Sequence, residues 1–205
     1  NLDIPDNNKI RFGTGNDLEI FHNGSNTLID NNTGTLSINT ASNEIQINKG
    51  TSEYMGRFIT DGAVELYHNN FKSFETHADG ITVYGPEAGG GQIKLFSDEG
   101  DDNADKFDIL VTTDSRFLIR NYASGSWETH IECNANGNVE LYYDNSKKLS
   151  TTSSGIKVER TDSTQSYLTM ATSAGDAGFL FANSNTDIEL MDRDGHPFFK
   201  GVKDG

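Results

Sequence analysis

A seven-residue phrase returns along this chain, and it limits the fold more than any single residue does. Val64-Glu65-Leu66-Tyr67-His68-Asn69-Asn70 recurs as Val139-Glu140-Leu141-Tyr142-Tyr143-Asp144-Asn145. Weaker copies run Leu18-Glu19-Ile20-Phe21-His22-Asn23-Gly24 and Ile188-Glu189-Leu190-Met191-Asp192-Arg193-Asp194. Each reads as apolar, Glu, apolar, bulky, then a polar turn. A chain that repeats one strand-plus-turn unit builds length or surface from small pieces rather than one closed core. Residues 62–83 align with 137–158 without gaps, at 11 identities in 22 positions. The unit predicts a strand over 64–68, a turn over 69–72, a strand over 73–77, an Asp-Gly turn and a strand over 81–84. That is a β-meander. In the first copy Leu28 takes the place of Phe74, and in the fourth Phe198 matches Leu149. The copies start 46, 75 and 49 residues apart, which is too irregular for a uniform solenoid.

Elsewhere, period-two alternation marks further short strands: Leu36-Ser37-Ile38, Glu44-Ile45-Gln46-Ile47, Gly80-Ile81-Thr82-Val83 and Ile156-Lys157-Val158. Helical signals are nearly absent. Asn-Gly at 23–24 and 136–137, and Asp-Gly at 61–62, 79–80 and 194–195, punctuate hairpins, because primed turns need positive φ. The expected fold is all-β, from short antiparallel meanders and hairpins. Its segments are a repeat over 1–50, a meander repeat over 51–92, inserted hairpins with an acidic loop over 93–136, and meander repeats over 137–205. Within the unit Val64 and Leu66 share one face, Glu65 and Tyr67 the other. The recurring Glu is expected on the solvated side of a half-buried strand. A ring of Glu from several chains, binding cations or sugar, is the alternative.

Hydrophobic residues make up 34% of the 205, below the roughly 45–50% of a globular domain, a figure that includes Gly. Asn, Gly, Thr and Ser together supply 78 of 205 residues, which favours turns and β structure. Twelve Phe and seven Tyr argue against disorder. Apolar faces buried between chains would supply the core that one chain lacks. The formal charge of −15 argues against nucleic acid, whose phosphates need Lys and Arg, and against an anionic membrane surface. No run approaches the roughly 18 apolar residues of a membrane-spanning helix. Cys133 is the only cysteine, so neither an intrachain disulfide nor a cysteine metal cluster is available.

Candidate chemistry is sparse. The loop between Phe96 and Phe107 carries Asp98, Glu99, Asp101, Asp102 and Asp105, and Asp98, Asp101 and Asp102 are the candidates for calcium, although EF-hand spacing is missing. Asp192-Arg193-Asp194-Gly195 raises the same question, with Lys203 where an EF-hand would have Glu. His22 and His68 share one repeat position and, in a three-fold assembly, would be candidates for an axial metal ion. Gly13-Thr14-Gly15 and Gly89-Gly90-Gly91 complete no phosphate-binding fingerprint. No Gly-x-Ser-x-Gly elbow is present, and no catalytic residue is assigned. Trp127, Tyr122 and Tyr143 are receptor-binding candidates on chemical type, as rings able to stack on sugars.

Residues 12–26, which run Phe12-Gly13-Thr14-Gly15-Asn16-Asp17-Leu18-Glu19-Ile20-Phe21-His22-Asn23-Gly24-Ser25-Asn26, resemble a phrase in tail-fibre proteins of marine bacteriophages, especially those infecting cyanobacteria. The stretch from Val139 through Lys147-Lys148-Leu149 to Gly155-Ile156-Lys157-Val158 is similar to the most recurrent phrase in the same proteins. Residues 12–38, 62–83 and 137–158 carry the likeness, and 188–198 more loosely. The resemblance implies an intertwined, elongated homotrimeric fibre on the virion, acting outside the host cell. Its partners would be its own copies, other virion tail proteins, and host surface glycan or protein. The implied function is non-enzymatic attachment. The alternatives are a purely structural shaft, neck or capsid appendage, or a fibre-borne polysaccharide depolymerase. No cofactor is implied beyond calcium or an axial metal ion. Family members often end in a self-cleaving chaperone domain, and nothing over 187–205 looks like one.

Overall fold

The computed structural model describes residues 1–159, 166–173, 175–182, 188–192 and 194–201. Arg193 and Lys203 lie outside them. The chain divides into two compact units, Asn1–Ile45 with Ile59–Asp61, and Gln46–Phe58 with Gly62–Gly205. It is all-β. Among the described residues there is no α-helix, only two short 3-10 turns at Asp98–Gly100 and Asn103–Asp105.

Four antiparallel sheets follow one another, and in each the strands lie side by side in chain order. The first holds β1 (Lys9–Phe12), β2 (Leu18–His22) and β3 (Thr27–Asn31). The second runs β4 (Glu44–Lys49), β5 (Glu53–Ile59), β6 (Val64–His68), β7 (Phe71–His77) and β8 (Gly80–Val83). The third comprises β9 (Gly91–Phe96), β10 (Lys106–Val111), β11 (Arg116–Asn121), β12 (Glu128–Asn134), β13 (Val139–Tyr143), β14 (Ser146–Thr152) and β15 (Gly155–Val158). The last contains β16 (Ser166–Thr172), β17 (Gly175–Ala182), β18 (Ile188–Asp192) and β19 (Pro197–Gly201). Each copy of the phrase thus lies in a sheet of its own.

Two expectations about local structure are corrected. Leu36-Ser37-Ile38 forms no strand, and both apolar side chains are exposed. Alternation marks a face, but a strand also needs a neighbour. The residues opposite the phrase also shift by one in the outer copies. Leu66 pairs with Phe74 and Leu141 with Leu149, each across a bulge. Ile20 instead pairs with Ile29, not Leu28, because a longer turn replaces the bulge. Leu190 pairs with Phe199, not Phe198, because the fourth copy keeps a bulge after Leu190 and has a longer turn. Turn length and bulge set register, and a gapless alignment reads neither.

The larger correction concerns the repeated Glu. Glu19, Glu65, Glu140 and Glu189 are 6%, 5%, 8% and 6% exposed, the reverse of a solvated face. Their apolar neighbours Leu66 and Leu141 are 47% and 40% exposed. Among the described residues Leu118 is the one large apolar side chain that a single copy fully buries. Long cationic and aromatic side chains cause the inversion at Glu19, Glu65 and Glu140: their stems lie over the carboxylate and hide it, while among the described residues no second layer covers the opposite face.

Register shows how continuous that opposite face is. In the third sheet Ile93, Ile109, Ile119, Ile131, Leu141, Leu149 and Val158 are successive cross-strand partners, one from each of seven strands. A parallel row joins Val111, Phe117, Cys133 and Val139. Shorter rows run in the other sheets: Ile10, Ile20 and Ile29; Leu66, Phe74 and Val83, which ends at Gly56 opposite Leu66; Leu168, Leu180, Leu190 and Phe199. The main row of each sheet passes through the apolar residue that follows the repeated Glu, and the parallel row of the third sheet through Val139, which precedes Glu140.

Candidate functional site

The polar face is built from the unit's identical residues. Glu65 accepts hydrogen bonds from the Tyr67 hydroxyl (2.6 Å), Lys72 (3.0 Å) and Arg57 (2.9 Å). Glu140 accepts from Tyr142, Asn138 and Lys147, the last at 3.0 Å. Glu19 is held between Lys9 and Arg11. Each carboxyl is thereby kept below its ordinary range, chiefly by the Tyr67 hydroxyl for Glu65, the Tyr142 hydroxyl for Glu140 and Lys9 for Glu19. Burial, with Glu140 second, pushes the Tyr142 phenol up to about 12.

Other identities are backbone staples. Asn70 and Asn145 each accept from a backbone N–H of the preceding hairpin, that of Tyr54 (2.7 Å) and Thr129 (3.1 Å). Thr76 and Thr151 accept from the N–H of Val64 and Val139, both at 2.9 Å. The loops Asn69-Asn70 and Asp144-Asn145 have positive φ at both residues, as a two-residue primed hairpin requires.

This network is structural, and the place where chemistry collects lies elsewhere. The strands of the third sheet alternate in direction, so its loops fall at two ends. One end has short turns over 112–115, 135–138 and 153–154. The other has the nine-residue loop 97–105, the six-residue loop 122–127 and the turn 144–145. Topology therefore brings the acidic loop, Tyr122, Trp127 and Tyr143 to one end.

There, the Trp127 and Tyr122 rings stand 5.2 Å apart, tilted by 60°, and both are half-buried. Arg120 lies over the Trp127 ring at 5.1 Å and Lys106 over Tyr122 at 5.9 Å. Two bonds at 3.0 and 2.6 Å tie Arg120 to Asp108, which is 1% exposed and also accepts from Gln92. Asn121 caps the Ala123 N–H at 2.8 Å and meets His130 at 2.6 Å, fixing the start of the loop. Sequence reasoning missed Asp108 and Arg120, since a lone carboxylate in an apolar strand and a cation twelve residues later show no spacing signal. Tyr143 stands apart from the pair, highly exposed at the end of β13.

In the acidic loop, Asp101 and Asp102 converge with Asp105 rather than with Asp98, their carboxylate oxygens lying within 4.8 Å of one another. Asp105 also accepts from Ser97 at 3.0 Å. Asp192, Asp194 and His196 form a second such group. The Asp192 carboxyl is lowered, chiefly by the His196 backbone N–H, so it is already a turn cap. His22 and His68 are exposed ends of strands in different sheets.

No protein-family model, curated protein or solved structure matches this chain.

Proposed function

We propose that the chain is a segment of a homotrimeric phage tail fibre that attaches the virion to a host-cell surface without enzymatic activity. The supporting observation is the inverted burial of the four sheets. Each buries the repeated Glu on one face and carries an apolar row on the other, through all seven strands of the third sheet and three of the five strands of the second. Apolar patches so extended are covered in a stable protein, and copies of the same chain present the same rows. Three copies turning these faces toward a common axis would bury them and leave the charged faces and the long-loop end outward. Repetition around the axis and along the virion converts weak contacts into firm attachment through effective concentration.

Light scattering at micromolar concentration tests the assembly: three times the 22.5 kDa chain mass is expected, and a folded monomer overturns it. Binding of the labelled protein to marine cyanobacterial cells, with competition against phage adsorption, tests attachment. A trimer that binds no cells and does not compete is a structural shaft.

A further inference from the structure

We propose that the long-loop end of the third sheet binds a neutral pyranose glycan, with Trp127 and Tyr122 as its stacking platform. The proposal rests on the attachment reading above and names the ligand class and the place.

Trp127 and Tyr122 belong to no apolar row, so assembly through the rows leaves them available. They sit on loop 122–127 and at its junction with β11, where the sheet presents an exposed connection. The platform is held from beneath. Asp108 fixes Arg120, Arg120 supports one side of the Trp127 ring, and Asn121 caps the loop. A ring fixed before binding loses little freedom when a ligand arrives. Tilted by 60°, the two rings offer apolar surface to the C–H faces of a sugar, which are themselves apolar. Ser124 and Ser126 hydroxyls in the same loop, and the Asn103 amide beside Gly125, supply polar groups for sugar hydroxyls.

Charge selects the ligand. Asp98, Glu99, Asp101, Asp102 and Asp105 stand on the neighbouring loop, with Glu128 and Asp144 at the same end. Of the nearby cations, Arg120 is bound to Asp108 and Lys106 rests on Tyr122. A carboxylated or sulfated polysaccharide would meet repulsion here, within a chain already at −15. A neutral glycan would not.

Trp127 is the only tryptophan, so its emission reports on this site alone. The full chain is titrated with dextran, mannan and laminarin oligosaccharides, with dextran sulfate as the charged counterpart. A saturable change in emission with at least one neutral glycan and none with dextran sulfate is expected. Tyr122→Ala should weaken that binding at least tenfold, with circular dichroism and assembly unchanged. Trp127→Phe, which keeps a ring over Arg120, should lower cell binding less than Trp127→Ala. Tighter binding of dextran sulfate, or no response to all three neutral glycans while cells are bound, overturns the ligand class. Undiminished cell binding by a folded Trp127→Ala protein overturns the location and leaves attachment standing. If the unaltered chain binds dextran, mannan or laminarin but no cells, attachment fails instead.

Discussion

Glu140→Gln is the sharpest test of the inverted faces. The substitution keeps the shape of the side chain and one carbonyl acceptor but removes the charge. In the folded chain three donors converge on Glu140, from Tyr142, Asn138 and Lys147. Hydrogen bonds to a charged group contribute about 1.5–3 kcal/mol, against about 1 kcal/mol for neutral ones. Lys147 retains a second partner in Glu159 at 3.0 Å, which limits the loss. The expected cost is about 2 kcal/mol, given a half-exposed Lys147 and a buried Glu140. With a urea slope near 2 kcal/mol/M, the midpoint should fall by about 1 M. Glu140→Ala, which strands the Tyr142 hydroxyl and Asn138 amide, should cost more, about 3–5 kcal/mol. Unfolding is followed by Trp127 emission and far-UV circular dichroism at one fixed protomer concentration, since assembly couples stability to concentration. The exposed Glu87→Gln is the control. If Glu140→Gln stays within about 0.5 kcal/mol of wild type, as surface substitutions do, the carboxylate is solvated and the inversion is wrong.

Four further outcomes are expected. Ile119→Lys, third of the seven residues in the long row, should give a species of one-chain mass by light scattering, because a buried ammonium without a partner costs more than the lost contact. Stability should be level above the ordinary glutamate value of 4.5 and fall as pH drops below it. Glu19, Glu65 and Glu140 all titrate lower when folded, so their contribution is present above that value and is lost on protonation. Urea midpoints from pH 7 to 3 check this, and a midpoint that rises on acidification would contradict it. Asn145→Gly should destabilise by about 1 kcal/mol, despite a φ of 53° that suits glycine, because the Thr129 N–H loses its acceptor. Asp144→Gly, with a φ of 51° and no such staple among the described contacts, should be neutral or stabilising in the same assay.

Strand positions and the sharing of faces were legible because period two is a local property. Val64, Leu66 and Val139, Leu141 fell on one side as alternation requires. Which side is wet was not legible. It depends on Lys72, Lys147 and Arg57 reaching across from neighbouring strands. Register failed at Leu28 because the first copy exchanges the bulge for a longer turn, and at Phe198 because the fourth copy keeps the bulge and lengthens the turn as well. Tyr122 and Trp127 could be named by type, but their convergence needed the hairpin that joins β11 to β12. The support beneath them, Asp108 and Arg120, left no trace in spacing.

The self-contained charge network has an evolutionary consequence. Glu65 finds Arg57 and Lys72, and Glu140 finds Lys147, within one sheet. A gene segment encoding one sheet can therefore be duplicated, deleted or moved without leaving an orphaned charge in its neighbours. Strands can be added at a flank too, as β9–β12 extend the row through β13, provided each contributes one apolar residue in register. Unequal distances between copies are what such a history leaves behind. Diversity can then accumulate in the loops at one end while the units that carry them are recombined intact.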